Sequence, residues 1–261
     1  MKMTVLRIHL QGIKTALATR MAYRGDFLIS MLIMLGFELL VPMFTYLVYH
    51  NGASIPGWGM YEILLIQGIF LLARGIAFPF FFGIVWNTIE RVREGTFDLL
   101  LIKPRPVLQM AIVTGFDSED LGKLFGGLVL FCIAVSHLQS PGLGQWLQFL
   151  AIFTVSMLAM FGYALILAGL GIVWVGNFRV YDIFFAITNF GMYPMAIFSK
   201  AVQILITMVI PITVLGFLPA SVLLGKVSGG TWLVIGNSIV FLVFSLWFWG
   251  CMLKKYTSVG G

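Results

Sequence analysis

Long apolar segments separated by short polar ones dominate the pattern of this sequence. A helix needs about 20 apolar residues, at 1.5 Å each, to cross a hydrocarbon core of ~30 Å. Six segments reach that length, at 27–49, 61–86, 121–138, 146–175, 182–199 and 232–252. The pattern therefore predicts an all-α integral membrane protein with six transmembrane helices, which form a single transmembrane domain at 27–261.

A seventh apolar stretch, 201–225, differs from the other six because it is interrupted. Pro211, Gly216 and Pro219 break it, and Gly225 ends it. Proline removes a helical hydrogen bond and clashes with the preceding turn, so an unbroken helix is not expected here. We predict that this segment enters the bilayer without crossing it.

The first 26 residues have a different pattern, with apolar side chains at helical spacing beside polar ones. The apolar positions are Leu6, Leu10, Ile13, Leu17 and Met21, and the polar ones are Arg7, Gln11 and Lys14. This predicts an amphipathic interfacial helix at 1–26 on the cytoplasmic membrane surface. A soluble amphipathic helix packed on a partner is the alternative.

The positions of the charged residues predict how the chain is oriented in the membrane. Only 10% of the residues are charged and 60% are hydrophobic, with a net charge of +6. With the N-terminus and the C-terminus both cytoplasmic, all of the 16 Lys and Arg residues fall inside except Lys200 and Lys226 outside and Arg74 within a span, as the positive-inside rule favours. The positive charge thus indicates topology and not a nucleic-acid surface.

The connection at 87–106 is the longest polar one on the cytoplasmic side. Thr88 is placed to cap a short helix, and Gly95 is placed to end it in the left-handed conformation. Apolar residues follow, and Pro104 and Pro106 prevent further helix. Two interpretations fit this composition equally well. The connection is either a docking surface for a soluble partner or a solvated loop whose leucines lie against the bilayer.

Two stretches carry a family resemblance. Gly95-Thr96-Phe97-Asp98 followed by Leu101-Ile102-Lys103-Pro104 resembles the coupling loop of ATP-binding-cassette (ABC) permeases of the type-2 exporter superfamily, in the branch of compact six-span subunits. The second stretch is similar to the segment between spans 5 and 6 of that superfamily, and it comprises Tyr193-Pro194, Ile197-Phe198, Ile210-Pro211, Leu218-Pro219-Ala220 and Leu223-Leu224-Gly225.

The resemblance implies the transmembrane permease subunit of an ABC-type exporter, in the inner membrane of a prokaryote. Two permease subunits, identical or related, would form the pathway, and separate ATPase subunits would dock on a cytoplasmic coupling helix between spans 2 and 3. The docking residues it implies are Glu90, Arg91, Arg93, Glu94, Gly95, Phe97, Asp98, Leu100 and Leu101. It also implies a re-entrant outer hairpin between spans 5 and 6, with Pro211, Pro219 and Gly225 at its turns.

The chain lacks the phosphate-binding motif G-x-x-x-x-G-K-[ST]. ATP and Mg are therefore expected in the partner ATPase, with no cofactor in this chain, which is a transport subunit and not itself an enzyme. The three histidines, His9, His50 and His137, are too scattered to suggest a shared metal. No polar catalytic set indicates a membrane-embedded enzyme.

Arg74 and Glu38 are charged residues inside predicted spans. Arg74 lies about 12 residues, or ~18 Å, from the inner end of the second span, and Glu38 about 11 residues, or ~16 Å, from that of the first. Because consecutive spans are antiparallel, the two side chains can meet, and buried charges favour pairing. We predict an intramembrane polar pair, which either fixes helix packing or contacts substrate. The same pair is the basis of an alternative function, a stand-alone secondary carrier or channel. Separately, Gly122-x-x-x-Gly126 predicts close helix packing.

Overall fold

The computed structural model describes residues 5–118, 120–174, 179–227 and 230–257. The protein is all-helical, with 81% helix and no strand in these residues, so the all-α part of the predicted fold class is confirmed. The α-helices are α1 (Val5–Ala22), α2 (Arg24–His50), α3 (Met60–Ala77), α4 (Gly83–Arg93), α5 (Asp98–Leu101), α6 (Val107–Thr114), α7 (Leu121–Ser136), α8 (Leu143–Val173), α9 (Arg179–Thr188), α10 (Lys200–Ile204), α11 (Phe217–Leu223) and α12 (Thr231–Lys254). Residues 1–4 of the predicted interfacial helix and residue 175 of the predicted fourth span lie outside the described residues.

Four helices of the described chain are long and apolar enough to cross a membrane: α2, the continuous helix Met60–Arg93, α8 and α12. The helix α7 coincides with the predicted third span but has 16 residues, which gives about 24 Å at helical rise. The six-span count therefore stays a prediction.

The predicted fifth span at 182–199 is not one helix in the structure. The helix α9 ends at Thr188 and is followed by 3-10 turns at Asn189–Met192 and Met195–Ile197. Between the turns, Tyr193 and Pro194 are extended. Proline forces the residue before it out of the helical region, so the helix does not continue here and the chain bends.

The helix Met60–Arg93 is the centre of the molecule, and 72% of its apolar window is buried. It consists of α3 and α4 joined by a π-helical turn at Phe78–Phe82. Pro79 lies in this turn, where its missing N–H and its ring disfavour regular α-helix. The Pro79 carbonyl accepts a hydrogen bond from the backbone N–H of Asp117 at 3.1 Å, which ties the turn to the α6–α7 connection.

The helices α3 and α7 pack closely along their length, and glycines make this packing possible. A Cβ placed on Gly75 would lie 2.4 Å from the backbone N and Cα of Leu124, and one on Gly127 would lie 2.5 Å from the backbone N of Leu72. Gly122, from the predicted motif, faces Met31 of α2 in the same way, with its Cβ position 2.6 Å from the Met31 carbonyl oxygen. The two backbones of each pair thus touch directly.

The helix α1 packs on α6, because a Cβ on Gly12 would lie 2.8 Å from the Val113 carbonyl oxygen. It ends at Ala22, and α2 begins two residues later, after Tyr23. Leu10 and Met21 of the predicted apolar stripe remain exposed on the protein. An apolar face is thus left on α1, as an interfacial position requires.

Candidate functional site

The segment predicted to dock a partner follows the central helix without a break. Glu90, Arg91 and Arg93 belong to the last turns of α4. Thr88 is buried within α4, so the prediction that it caps a separate short helix is wrong. The predicted docking segment is instead the end of a helix that is long and apolar enough to cross a membrane.

Gly95 reverses the chain at the end of α4. Its φ is +69°, in the left-handed region that glycine adopts without strain. The backbone N–H groups of Thr96 and Phe97 both donate to the Arg91 carbonyl, at 2.8 and 3.1 Å. These bonds satisfy the helix end and fold α5 back against the protein.

The predicted docking residues divide into buried and exposed sets. Phe97 and Leu100 are buried, and the Phe97 ring lies 4.9 Å from that of Tyr256 beyond α12. Arg91, Gly95 and Asp98 are half-buried. The exposed residues, which we call the docking surface, are Glu90, Arg93, Glu94 and Leu101 together with Leu99 and Ile102, which the docking prediction did not include.

Helical spacing in α5 explains this division. Successive residues of a helix lie about 100° apart around its axis, so Leu100 faces the core while Leu99 and Leu101 lie on either side of it and are exposed. Ile102 is 78% exposed. The docking surface is therefore an apolar ridge bordered by charges and held from below by Phe97 and Leu100.

Arg74 and Glu38 lie together between α3 and α2. The Arg74 guanidinium contacts both carboxylate oxygens of Glu38, with Nη1 3.2 Å from Oε2 and Nη2 3.1 Å from Oε1. Both side chains are largely buried. This bidentate geometry is the strongest form of such a pair.

Two further charges complete a buried cluster, and the sequence prediction had assigned one of them, Lys123, to the cytoplasmic side. The Lys123 Nζ lies 2.5 Å from Asp120 Oδ1 and 4.0 Å from Glu38 Oε1. The Phe78 ring of the π-turn lies beneath both cations, 4.1 Å from Lys123 Nζ and 5.1 Å from Arg74 Cζ. Two cations and two carboxylates therefore balance, as burial requires.

Asp120 precedes α7 at the inner end of this cluster. Burial raises the pKa of its carboxyl, and the adjacent Lys123 ammonium lowers it in part. The i, i+3 spacing of the two residues on the first turn of α7 was the available sequence signal.

The segment predicted to be re-entrant folds back along α8. After α10 and a π-turn at Leu205–Val209 the chain breaks at Pro211, forms a 3-10 turn at Ile212–Val214, and returns as α11. The Ser156 hydroxyl bonds to the Val214 carbonyl at the tip. The Gln145 Nε2 bonds to the carbonyls of Val222 and Leu223, at 3.3 and 3.2 Å, at the other end of α11.

Ser156 and Gln145 are separated by about 16 Å along α8 at helical rise. The returning limb thus starts partway along α8 and ends beside its first turn. Pro219 is buried within α11, and Gly225 ends this helix with a φ of +67°. The segment therefore folds as a hairpin against α8, and its entry into the bilayer stays a prediction.

Lys226 fastens the end of the hairpin to the start of α3. Its Nζ lies 2.6 Å from Glu62 Oε2 and donates to the Gly57 carbonyl at 3.1 Å. It also lies 4.5 Å from the centre of the Trp58 ring. Three kinds of interaction therefore converge on one partly exposed ammonium.

We expect Lys226→Ala to loosen the hairpin and to lower the free energy of unfolding by about 1 kcal/mol, since exposed ion pairs and cation–π contacts each contribute little. Hydrogen exchange of α11 amides should become faster. Lys200→Ala, at an exposed lysine with no ion pair among the described residues, is the matched control. Equal exchange in both variants would contradict the clamp.

The chain matches a known protein family. Residues 32–260 match the model of the family described as "ABC-2 family transporter protein". The matched range includes the docking surface, the charged cluster and the hairpin. No curated protein matches the chain.

Proposed function

The chain belongs to the ABC-2 family of transporters, and on that premise we propose that it is the permease subunit of an ATP-driven exporter, with its ATPase subunits docking on the surface from Glu90 to Ile102. Family membership implies a membrane-embedded transport subunit and an ATPase partner. The docking site, the dimer and the orientation are our proposals. Both termini would be cytoplasmic, in the inner membrane of a prokaryote.

The observation that carries the proposal is the continuity of the central helix with the docking surface. Helix Met60–Arg93 has 34 residues, about 51 Å at helical rise, so it is longer than a ~30 Å hydrocarbon core. The excess projects its last turns beyond the bilayer, where a soluble subunit can reach them. A force applied at Glu90–Ile102 would then act directly on a helix that crosses the membrane.

The docking surface has the chemistry of a protein contact. An apolar centre, Leu99, Leu101 and Ile102, is bordered by Glu90, Arg93 and Glu94. Apolar anchors surrounded by polar residues are typical of interface hot spots. Phe97 and Leu100 beneath it supply rigidity, because their burial leaves the ridge little freedom to deform.

The central helix also supports a dimer. Side chains from α7, α8 and the hairpin bury most of it, so one chain leaves no wide conduit around its own axis. A pathway for cargo then requires a surface shared between two permease subunits, identical or related.

Replacing Ile102 by Asp tests the docking site. We expect retention of a co-purifying ATPase, recognised by the phosphate-binding motif G-x-x-x-x-G-K-[ST], to fall about tenfold. This corresponds to about 1.4 kcal/mol of binding free energy, because the charge would be buried in the contact. Affinity purification of the tagged chain from native membranes in mild detergent, followed by quantitative mass spectrometry, measures it.

Leu143→Asp is the matched control, because Leu143 is 77% exposed and begins α8 at the predicted outer end. It should leave ATPase retention unchanged. Equal loss in both variants would argue against the docking surface. A protein that is stable and complete without any ATPase would instead favour the carrier hypothesis.

A further inference from the structure

A cleft at the inner end of the helices has chemistry that docking and transport leave unused. It lies between α1, the start of α2, α4 and the α6–α7 connection, and has a volume of about 430 Å³. Its polar lining includes Arg20, Asp26, Asn87, Asp117 and Ser118. This volume is within the range of small-molecule sites.

Ser118 indicates that the cleft takes a ligand. Its side chain is 2% exposed, and its hydroxyl has no hydrogen-bond partner among the residues that the structure describes. A buried hydroxyl without a partner is costly, and such groups are rare in folded proteins. A polar group bound in the cleft would satisfy it.

The remaining polar groups favour a cationic ligand group. Two carboxylates, Asp26 and Asp117, line the cleft with one cation, Arg20. The Asn87 amide nitrogen already donates to the Gly83 carbonyl at 3.3 Å, so its side-chain oxygen remains as an acceptor. Arg20 and Asp117 each already have an interaction within the protein, so the Asp26 carboxylate and the Asn87 oxygen are the acceptors that remain for a primary ammonium. Arg20 lines the same cleft and can also face a phosphate.

The position of the cleft selects a lipid as the source of that group. It lies where α1 turns into α2, at the level predicted for the inner membrane surface, and Trp86 and Phe27 line its apolar part. Tryptophan favours the headgroup level of a bilayer. A free solute would need no apolar wall, whereas a phospholipid places acyl chains beside its headgroup.

We propose that this inner cleft binds the headgroup of an aminophospholipid, with Asp26 and Ser118 accepting hydrogen bonds from its ammonium and Arg20 facing its phosphate. A quaternary headgroup of the same charge cannot donate these bonds. The proposal requires only that the chain is embedded in a membrane, so it stands or falls independently of the ATPase docking site.

The test compares three probes on the full-length chain in detergent micelles: dioleoylphosphatidylethanolamine, dioleoylphosphatidylcholine and soluble phosphoethanolamine. Native mass spectrometry measures retained lipid. We expect the ethanolamine lipid to be retained about tenfold more than the choline lipid, and phosphoethanolamine not to compete. Asp26→Asn should reduce the ratio to about one.

Two further variants separate recognition from folding. Ser118→Ala should raise the melting temperature of the lipid-free protein, because it removes an unpaired hydroxyl, yet weaken retention of the ethanolamine lipid several-fold. Asp182→Asn, an exposed carboxylate in the first turn of α9, should change neither. Equal retention of the two lipids, an unchanged ratio in Asp26→Asn, or effective competition by phosphoethanolamine would overturn the proposal.

Discussion

Replacing Glu38 by Leu should lower the free energy of unfolding by about 3–5 kcal/mol, the cost of leaving a buried charge unpaired. The substitution removes the carboxylate that contacts both terminal nitrogens of Arg74. Two cations, Arg74 and Lys123, would then share only Asp120. Unfolding of the purified protein in mixed micelles measures the loss.

Replacing the other partner, Arg74, should lower the free energy of unfolding by less. In Arg74→Leu, Lys123 Nζ is already 4.0 Å from Glu38 and can take over as its partner. The double variant Arg74→Leu with Glu38→Leu should recover most of the stability, because apolar residues replace a buried pair with little net cost. Equal losses in the single variants, or no recovery in the double, would contradict this account of the cluster.

The second large effect is expected from Gly75→Ala. The new methyl group would lie 2.4 Å from backbone atoms of Leu124, which no side-chain rotation can relieve. The α3 and α7 backbones must separate. We therefore expect the free energy of unfolding to fall by more than the roughly 1–3 kcal/mol that is usual for an overpacked core, and the yield of folded protein to be poor. The free energy of unfolding and the folded yield are the measurements.

A graded series guards against simple failure to fold. Gly36→Ala in α2 places its methyl group in open space and should change stability by at most about 0.5 kcal/mol. Gly162→Ala would meet the Phe241 ring and the Ser245 hydroxyl at 3.0 Å and should be intermediate, since side chains can shift. A loss in Gly36→Ala equal to that in Gly75→Ala would show that close packing is not the cause.

Hydrophobic length and charge were enough to predict the fold class and four of the helices, because both depend on local sequence alone. The predicted fifth span, 182–199, is longer than the α-helix observed there, which ends at Thr188, although Pro194 is visible in the sequence. An apolar run carries no information on whether it crosses lipid or bends against other helices. The bend at Pro194 is accompanied by close packing of Gly191 against Phe70 and Ile212, which the sequence does not reveal.

The candidate site could likewise be predicted from the sequence only in part. Depth along two antiparallel spans predicts the meeting of Arg74 with Glu38, but Lys123 was judged by its position near a span end, and its burial depends on α7 packing against α3. Likewise, Gly68 and Gly75 are seven residues apart and form no short motif. Their importance depends on the partner helix, which a sequence pattern does not contain.

The π-helical turn at Phe78–Phe82 determines how the two ends of the central helix are oriented. A π-turn holds about one residue more than an α-turn, so its loss would rotate everything beyond it by about 100° around the helix axis. Deleting a single residue there would preserve the sequence of both the hairpin contact and the docking surface. It would nevertheless rotate one of them relative to the other by about 100°, so this turn sets the relative orientation of the two ends of the central helix.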